Sequence, residues 1–289
     1  MSQPAELRQK AEGLAGPFPP LLAAAEHLAA SVLLGDHGRR RAGMGDEFWQ
    51  YRASQPGDER RLIDWRRSAR SDTEFVREKE WQAAQSVMIW VDPAQSMAFS
   101  SAKHQTKAEV ARVLALAVSV LLVRAGERVG LTSLVAPPRT GQLQLLRLAD
   151  AFSQDSDEEY GVPELRGILH HSRAVFFSDF LGDLSGVEAA LTKAADRDVK
   201  GALVQVLDPI EEAFPFDGRT IFESMGGSVT HETLKAGDLR DRYLDRLAER
   251  KDRLAALARE TGWQYHLHHS DTSATSALLW LHNALGPVH

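Results

Sequence analysis

Cysteine is absent from this 289-residue chain. That removes disulfide frameworks and thiolate metal sites together. A basic excess is missing too: 34 Lys and Arg stand against 40 Asp and Glu, a formal net charge of −6. General nucleic-acid binders carry the opposite balance. No apolar run approaches the roughly 18 residues that a membrane-spanning helix needs. The longest, residues 113–123, is interrupted by Ser119 and reads as a buried helix. The first ten residues lack the apolar core of a secretory leader, so the expectation is a soluble, cytoplasmic protein. Neither Gly-x-x-x-x-Gly-Lys-Ser/Thr, nor Gly-x-Ser-x-Gly, nor Gly-x-Gly-x-x-Gly occurs. The chain is therefore not itself a P-loop ATPase, and the nucleophile-elbow and dinucleotide fingerprints are missing.

What is present is ordinary globular material, 43% hydrophobic and 26% charged, enough for a large α/β domain with an appendage. The organising stretch is Val87-Met88-Ile89-Trp90-Val91-Asp92-Pro93-Ala94-Gln95-Ser96-Met97. Five apolar residues running into Asp, Pro and small polar residues read as a buried parallel strand reaching the carboxyl edge of its sheet. Ligands of open α/β sheets bind outside that edge. From there, strand and helix patterns alternate. Strands are expected at 87–92, 129–135, 174–181, 200–208 and 263–268. Helices are expected at 107–123, 145–152, 162–171, 186–197, 237–261 and 272–285. Residues 142–146 read as a short edge strand or a helix start, and 220–233 as a hairpin around Gly226-Gly227. This alternation predicts a doubly wound, mostly parallel α/β sheet.

Ahead of it lie a polar, Gly/Pro-rich leader and a short Ala/Leu-rich helix, together 1–34, and an Arg/Trp-rich β/loop appendage, 35–82, expected to pack on the main domain, 83–289. Between Gly57 and Arg70 there are five arginines against two aspartates and one glutamate, with Phe48, Trp49, Tyr51 and Trp65 interleaved or close by. A charge run is ordinarily a solvated face. Arginine interleaved with aromatics is also the composition of interface hot spots. The residues singled out for a partner are Arg60, Asp64, Trp65, Arg66 and Arg70.

Three strands end in aspartate, at Asp92, Asp179 and Asp208. Strand-end carboxylates beside hydroxyls suit a hard cation such as Mg²⁺ or Mn²⁺. The plainer account is that each caps the following helix. A metal-dependent phosphoester hydrolase on these three carboxylates is the rival functional reading. A nucleic-acid surface on Arg39–Arg41 and Arg60–Arg70 is a third, opposed by the net charge. His266, His268 and His269 with Asp271 offer a weaker zinc alternative, set against a polar strand end. His170-His171 reads as a helix end, and Lys103-His104 as the approach to the next helix.

Residues 35–285 resemble the family known as domain of unknown function 58, whose members carry a von Willebrand factor A-like domain. The resemblance rests on Gly43–Phe48, Pro56-Gly57-Asp58 through Arg60 to Ile63-Asp64-Trp65, Ala69-Arg70, the strand into Asp92 with Ser96-Met97, Lys107, Arg128–Leu131, and Ser178-Asp179-Phe180-Leu181. It implies a metal-ion-dependent adhesion site of the form Asp-x-Ser-x-Ser, met here by Asp92 and Ser96 with Ala94 in place of the middle serine. Thr140 stands for a later threonine, and Asp179 for the final aspartate. It further implies a non-enzymatic, protein-binding adaptor partnered by a MoxR-type AAA+ ATPase in chaperone-like complex assembly, with a degraded adhesion site and Mg²⁺ or Mn²⁺ as the ion to be held.

Overall fold

The computed structural model describes residues 19–35, 48–54, 63–70, 73–79, 84–101, 105–227 and 230–285. The chain divides into two compact units, residues 36–84 in one and the remainder in the other.

The larger unit is built on strands β3 (Ser86–Val91), β4 (Arg128–Leu131), β5 (Arg173–Ser178), β6 (Lys200–Leu207) and β9 (Gln264–His269). They form one sheet in the order β4-β3-β5-β6-β9, every pairing parallel. The chain steps from β3 outward to β4, then crosses back to β5 on the other side of β3. The carboxyl ends of β3 and β5 therefore flank the topological switch point, where the fold leaves a crevice.

Side chains alternate between the two faces of these strands. Val87, Ile89 and Val91 share one face with Val175, Phe177, Val204 and Val206. Met88 and Trp90 share the other with Phe176 and Leu203. The first face is covered by α1 (Pro19–Gly35), α3 (Lys107–Arg124), α4 (Gln142–Phe152) and α8 (Ala274–Ala284). The second is covered by α5 (Ser185–Ala195) and α7 (Gly237–Glu260). The result is the doubly wound α/β architecture expected, consistent with a Rossmann-like or von Willebrand factor A-type fold.

α3 is apolar nearly all round because it is enclosed on several sides. It lies against β3, β5 and β6 and is covered in turn by α1, α4 and α8. Ser119, buried in the middle of the helix, returns its hydroxyl to Ala115 O at 2.7 Å. α1 buries Leu22, Ala25, Ala29 and Val32, one face at helical spacing. This early helix belongs with the sheet.

Several sequence expectations need correction. Residues 162–171 form turns and loop instead of a helix. The stretch runs from the carboxyl edge, where Gly167 N donates to Thr132 O at 2.7 Å, to the amino edge, where His171 N donates to Arg197 O at 3.0 Å just ahead of β5 and β6. β4 stops at Leu131, not Val135. Beyond it Arg139 turns back to bridge Val129 antiparallel. Residues 142–146 begin α4. A short helix not foreseen, α6 (Pro209–Ala213), follows β6 and is capped by Asp208. The hairpin is present as β7 (Thr220–Glu223) and β8 (Thr230–Thr233).

The smaller unit contains an antiparallel pair, β1 (Phe48–Ala53) with β2 (Phe75–Lys79), and the one-turn α2 (Trp65–Ser68). Ser68 ties these together: its hydroxyl donates to Asp64 O at 2.8 Å and accepts from Phe75 N at 2.8 Å.

Candidate functional site

The loops after β3 and β5 meet at the switch point. Asp92 N donates to Phe177 O at 2.9 Å, extending the ladder one residue past β3. The Asp92 side chain is 1% exposed. Its Oδ1 accepts from Ala94 N at 2.9 Å, and its Oδ2 accepts from the Ser178 hydroxyl at 2.6 Å. Gly161, from the acidic loop after α4, lies directly against this carboxylate. A Cβ at position 161 would stand 2.0 Å from Oδ1. Burial pushes Asp92 up to about 6, against the lowering pull of Ser178 and the Ala94 and Gly161 amides, with the neighbouring Asp179 charge adding to the rise.

Asp179 is equally buried and equally occupied. Its Oδ1 accepts from Leu181 N at 3.0 Å. Its Oδ2 accepts from the Lys107 ammonium at 2.8 Å, and Lys107 donates again to Glu211 Oε1 at 2.7 Å. Lys107 is the first residue of α3, behind the Thr106–Glu109 capping box, and its side chain is 1% exposed. Burial works to lower the basicity of this amine; the Asp179 and Glu211 carboxylates outweigh it and hold the ammonium above its ordinary value. The Phe99 ring lies 5.6 Å from the same nitrogen.

The Asp179 loop is set by its surroundings. Phe180 sits in the left-handed region at φ 49°. Its N–H donates to the Ser178 hydroxyl at 2.9 Å, and its carbonyl accepts from Arg250 at 2.8 Å. Gln205 on β6 donates to Asp179 O at 2.7 Å and accepts from Tyr265 at 2.5 Å. A strained conformation held by this many partners is characteristic of functional loops.

The third aspartate, Asp208, acts as the plainer account expects. It caps α6 by accepting from Ile210 N at 2.9 Å, and Glu211 Oε2 accepts from Asp208 N at 2.8 Å. Its Oδ2 accepts from Ser101 N at 2.8 Å. The end of β6 is thus joined to Asp179 through Glu211 and Lys107.

The structure brings Asp92, Ser96 and Asp179 to one edge. Ser96 N donates to Glu159 O at 3.0 Å, while the buried Ser96 hydroxyl finds no hydrogen-bond partner. Thr140 is not among them. It is exposed and follows the Arg139 bridge to Val129, toward the amino end of β4. The antiparallel return of the chain after β4 carries it to the wrong end of the sheet.

A divalent cation fits this arrangement poorly. Mg²⁺ seeks six oxygens in near-octahedral geometry. All four oxygens of Asp92 and Asp179 already accept hydrogen bonds and position 94 offers a methyl group; among the described residues the buried hydroxyls left without a partner are those of Ser96 and, just past β4, Thr132. Among the described residues no group of three or more His, Asp and Glu side chains is disposed to hold a metal. On β9 the His266 and His268 rings stack with centroids 6.4 Å apart, and His266 also stacks on Trp280 at 4.6 Å, whereas His269 pairs with Glu212. Burial pushes His268 down to about 4.

The sequence alone assigns Lys107 no role beyond its place in the family resemblance and gives no reason to single out Glu211. The available signal was a lysine opening an apolar helix, where the helix dipole favours an acid.

In the smaller unit, Asp64 caps α2 by accepting from Arg67 N at 3.1 Å. Trp65 is 54% exposed, and Arg66 and Arg70 are exposed beside it. Arg67 turns the other way, its guanidinium carbon 5.3 Å from the Phe75 ring centre. Arg60 lies outside the described residues.

Among the described residues no helix is long and apolar enough to cross a membrane. An uncharacterized protein of Mycobacterium bovis, Mb1516, is 29% identical over 248 residues, covering 80% of this chain and 77% of its own. Rv1480 of Mycobacterium tuberculosis, also uncharacterized, matches to the same extent. Among solved structures, BatB from Bacteroides thetaiotaomicron aligns with TM-score 0.40 and 13% identity, over 70% of this chain and 98% of its own. An aerotolerance-related membrane protein from Bacteroides fragilis aligns with TM-score 0.38 and 15% identity over the same shares. The family profile "Protein of unknown function DUF58" matches residues 50–253, well over half of the sequence, and the chain belongs to that family.

Proposed function

We propose that this chain is a non-enzymatic, cytoplasmic adaptor that binds a protein partner, the partner being a MoxR-type AAA+ ATPase and the context chaperone-like complex assembly. The choice of ATPase rests on the family resemblance described above. The observation that carries the adaptor reading is how the chain spends its charges. The carboxylates of the switch point are turned inward onto amides, a hydroxyl and a lysine. Trp65, Arg66 and Arg70 are turned outward. Exposed tryptophan beside arginine is the composition that dominates binding energy at protein interfaces. The rival phosphoester hydrolase needs Asp92, Asp179 and Asp208 open to metal and substrate, and nothing in their geometry favours it over the adaptor.

The test is capture of a purified MoxR-type ATPase, with ATP and Mg²⁺, by the immobilised full chain, alongside Trp65→Ala and Arg66→Glu. Capture by the wild type and its loss in both variants is expected. Absence of capture by the wild type defeats the reading. Metal-dependent turnover of a generic phosphoester, abolished by Asp92→Ala, would install the rival.

A further inference from the structure

The ion pair at the head of α3 bears on what the switch point holds. Lys107 reaches the edge of the sheet from the first turn of a buried helix, against the preference of the helix dipole for an acid there. Its side chain is 1% exposed, and its ammonium lies between Asp179, from the end of β5, and Glu211, from the helix after β6. A buried charge is tolerated only when paired and hydrogen-bonded, and both conditions are met. Asp179 sits where the adhesion-site pattern of related folds ends. Each carboxylate oxygen that such a pattern supplies already accepts a hydrogen bond here, Asp92 from Ala94 N and Ser178, Asp179 from Leu181 N and Lys107, and the Ser96 hydroxyl alone of the pattern has no partner. The middle hydroxyl is a methyl, at Ala94.

We propose that the Lys107 ammonium is the resident cation of this switch point, a covalently attached substitute for a divalent ion, so that the edge is assembled and kept in shape without metal. Lys107 joins three elements that a metal would otherwise join: the head of α3, the Asp179 loop and α6. It also repels a second cation from Asp179. A carboxylate-bearing partner reaching in to complete a metal's coordination shell finds no open position. Recognition on this edge then depends on its rim, and it is indifferent to chelators. This inference concerns the site alone and stands whether or not the adaptor reading holds.

The experiment uses the full chain and Mn²⁺ as probe, with bound ion followed by the loss of its free electron paramagnetic resonance signal and melting temperature read in parallel. For the wild type the free-ion signal is expected to stay undiminished from micromolar to millimolar Mn²⁺. Its melting temperature is expected to be the same in EDTA and in Mg²⁺. Lys107→Met, which keeps the length of the stem and removes the charge, melts lower and gains a Mn²⁺-dependent rise in melting temperature. That rise disappears in Lys107→Met with Asp179→Asn. Micromolar Mn²⁺ binding by the wild type that Asp179→Asn abolishes would overturn the proposal. So would a folded Lys107→Met indifferent to Mn²⁺. Ion bound equally by wild type and Asp179→Asn sits elsewhere on the chain and agrees with the proposal. Should Lys107→Met not fold, the wild-type titration with its Asp179→Asn control decides alone.

Discussion

Gly161 and Asp92 are in contact so close that no side chain fits between them: a Cβ on residue 161 would lie 2.0 Å from one carboxylate oxygen and 2.5 Å from the carboxyl carbon. The acidic loop is thereby pressed onto the end of β3, and Gln95 N and Ser96 N donate to its Glu158 and Glu159 carbonyls at 2.9 and 3.0 Å. Asp92 cannot move aside without giving up Ser178. Gly161→Ala is expected to cost about 1–3 kcal/mol, the range for forcing an extra carbon into a packed interior. Urea denaturation checks this. A variant as stable as wild type would show that the loop is not clamped there.

Breaking the Lys107 pair should cost more. Lys107→Met leaves Asp179 and Glu211 as buried carboxylates without their cation, and removing one partner of such a pair costs about 3–5 kcal/mol. Neutralising the partners as well, with Asp179→Asn and Glu211→Gln, is expected to recover part of the loss. Chemical denaturation of the single, double and triple variants reads the coupling. Simple additivity of the effects would show that the three groups do not act together.

Asp92 should titrate near neutrality. Its carboxyl is pushed up to about 6 from an ordinary 3.8, chiefly by burial. Between those two values the folded chain holds more proton than the unfolded chain, so this group makes stability fall as pH rises, and the loss is complete above about 6. Relative to Asp92→Asn, which does not titrate, the wild type should lose up to about 3 kcal/mol from about pH 4 to pH 7. Carbon-13 NMR of the side-chain carboxyl gives the midpoint directly. A midpoint below 4.5, or a stability difference that does not change with pH, contradicts the assignment.

Trp65 should matter to binding and not to folding. It is 54% exposed at the start of a one-turn helix whose cap and tie are supplied by Asp64 and Ser68. Trp65→Ala is expected to shift unfolding by no more than about 0.5 kcal/mol. Capture of the ATPase partner should weaken by tenfold or more, as for an interface anchor of about 2 kcal/mol. Calorimetry and surface plasmon resonance separate the two effects. A large loss of stability would reassign the residue to structure.

The ends of β3 and β6 could be read from the sequence because their cause is local. A fully apolar run stopped by aspartate and proline, as at Val91-Asp92-Pro93, has few other solutions in a chain whose strands alternate with helices. The hairpin and α7 were legible for the same reason, through turn residues and helical spacing. Residues 162–171 misled because Val162, Leu165, Ile168 and Leu169 repeat at helical spacing. In the folded chain that spacing drapes a loop over the sheet, with Leu165 and Ile168 buried beneath it and Val162 and Leu169 exposed. Thr140 misled because sequence distance from β4 says nothing about which end of the sheet a return crosses.

The sequence by itself determined the alternating architecture, the set of acidic strand ends and the methyl group at Ala94, because each is written in consecutive residues. Only the tertiary structure decided what those acids face. Asp92 meets Ser178 across 86 positions of chain, and Asp179 meets Lys107 across 72. Such pairings are set by which strands lie side by side and how a helix returns over them. The physical reason is that a carboxylate takes its character from whichever donor the fold places within hydrogen-bond reach, and strand order, not neighbouring sequence, makes that placement.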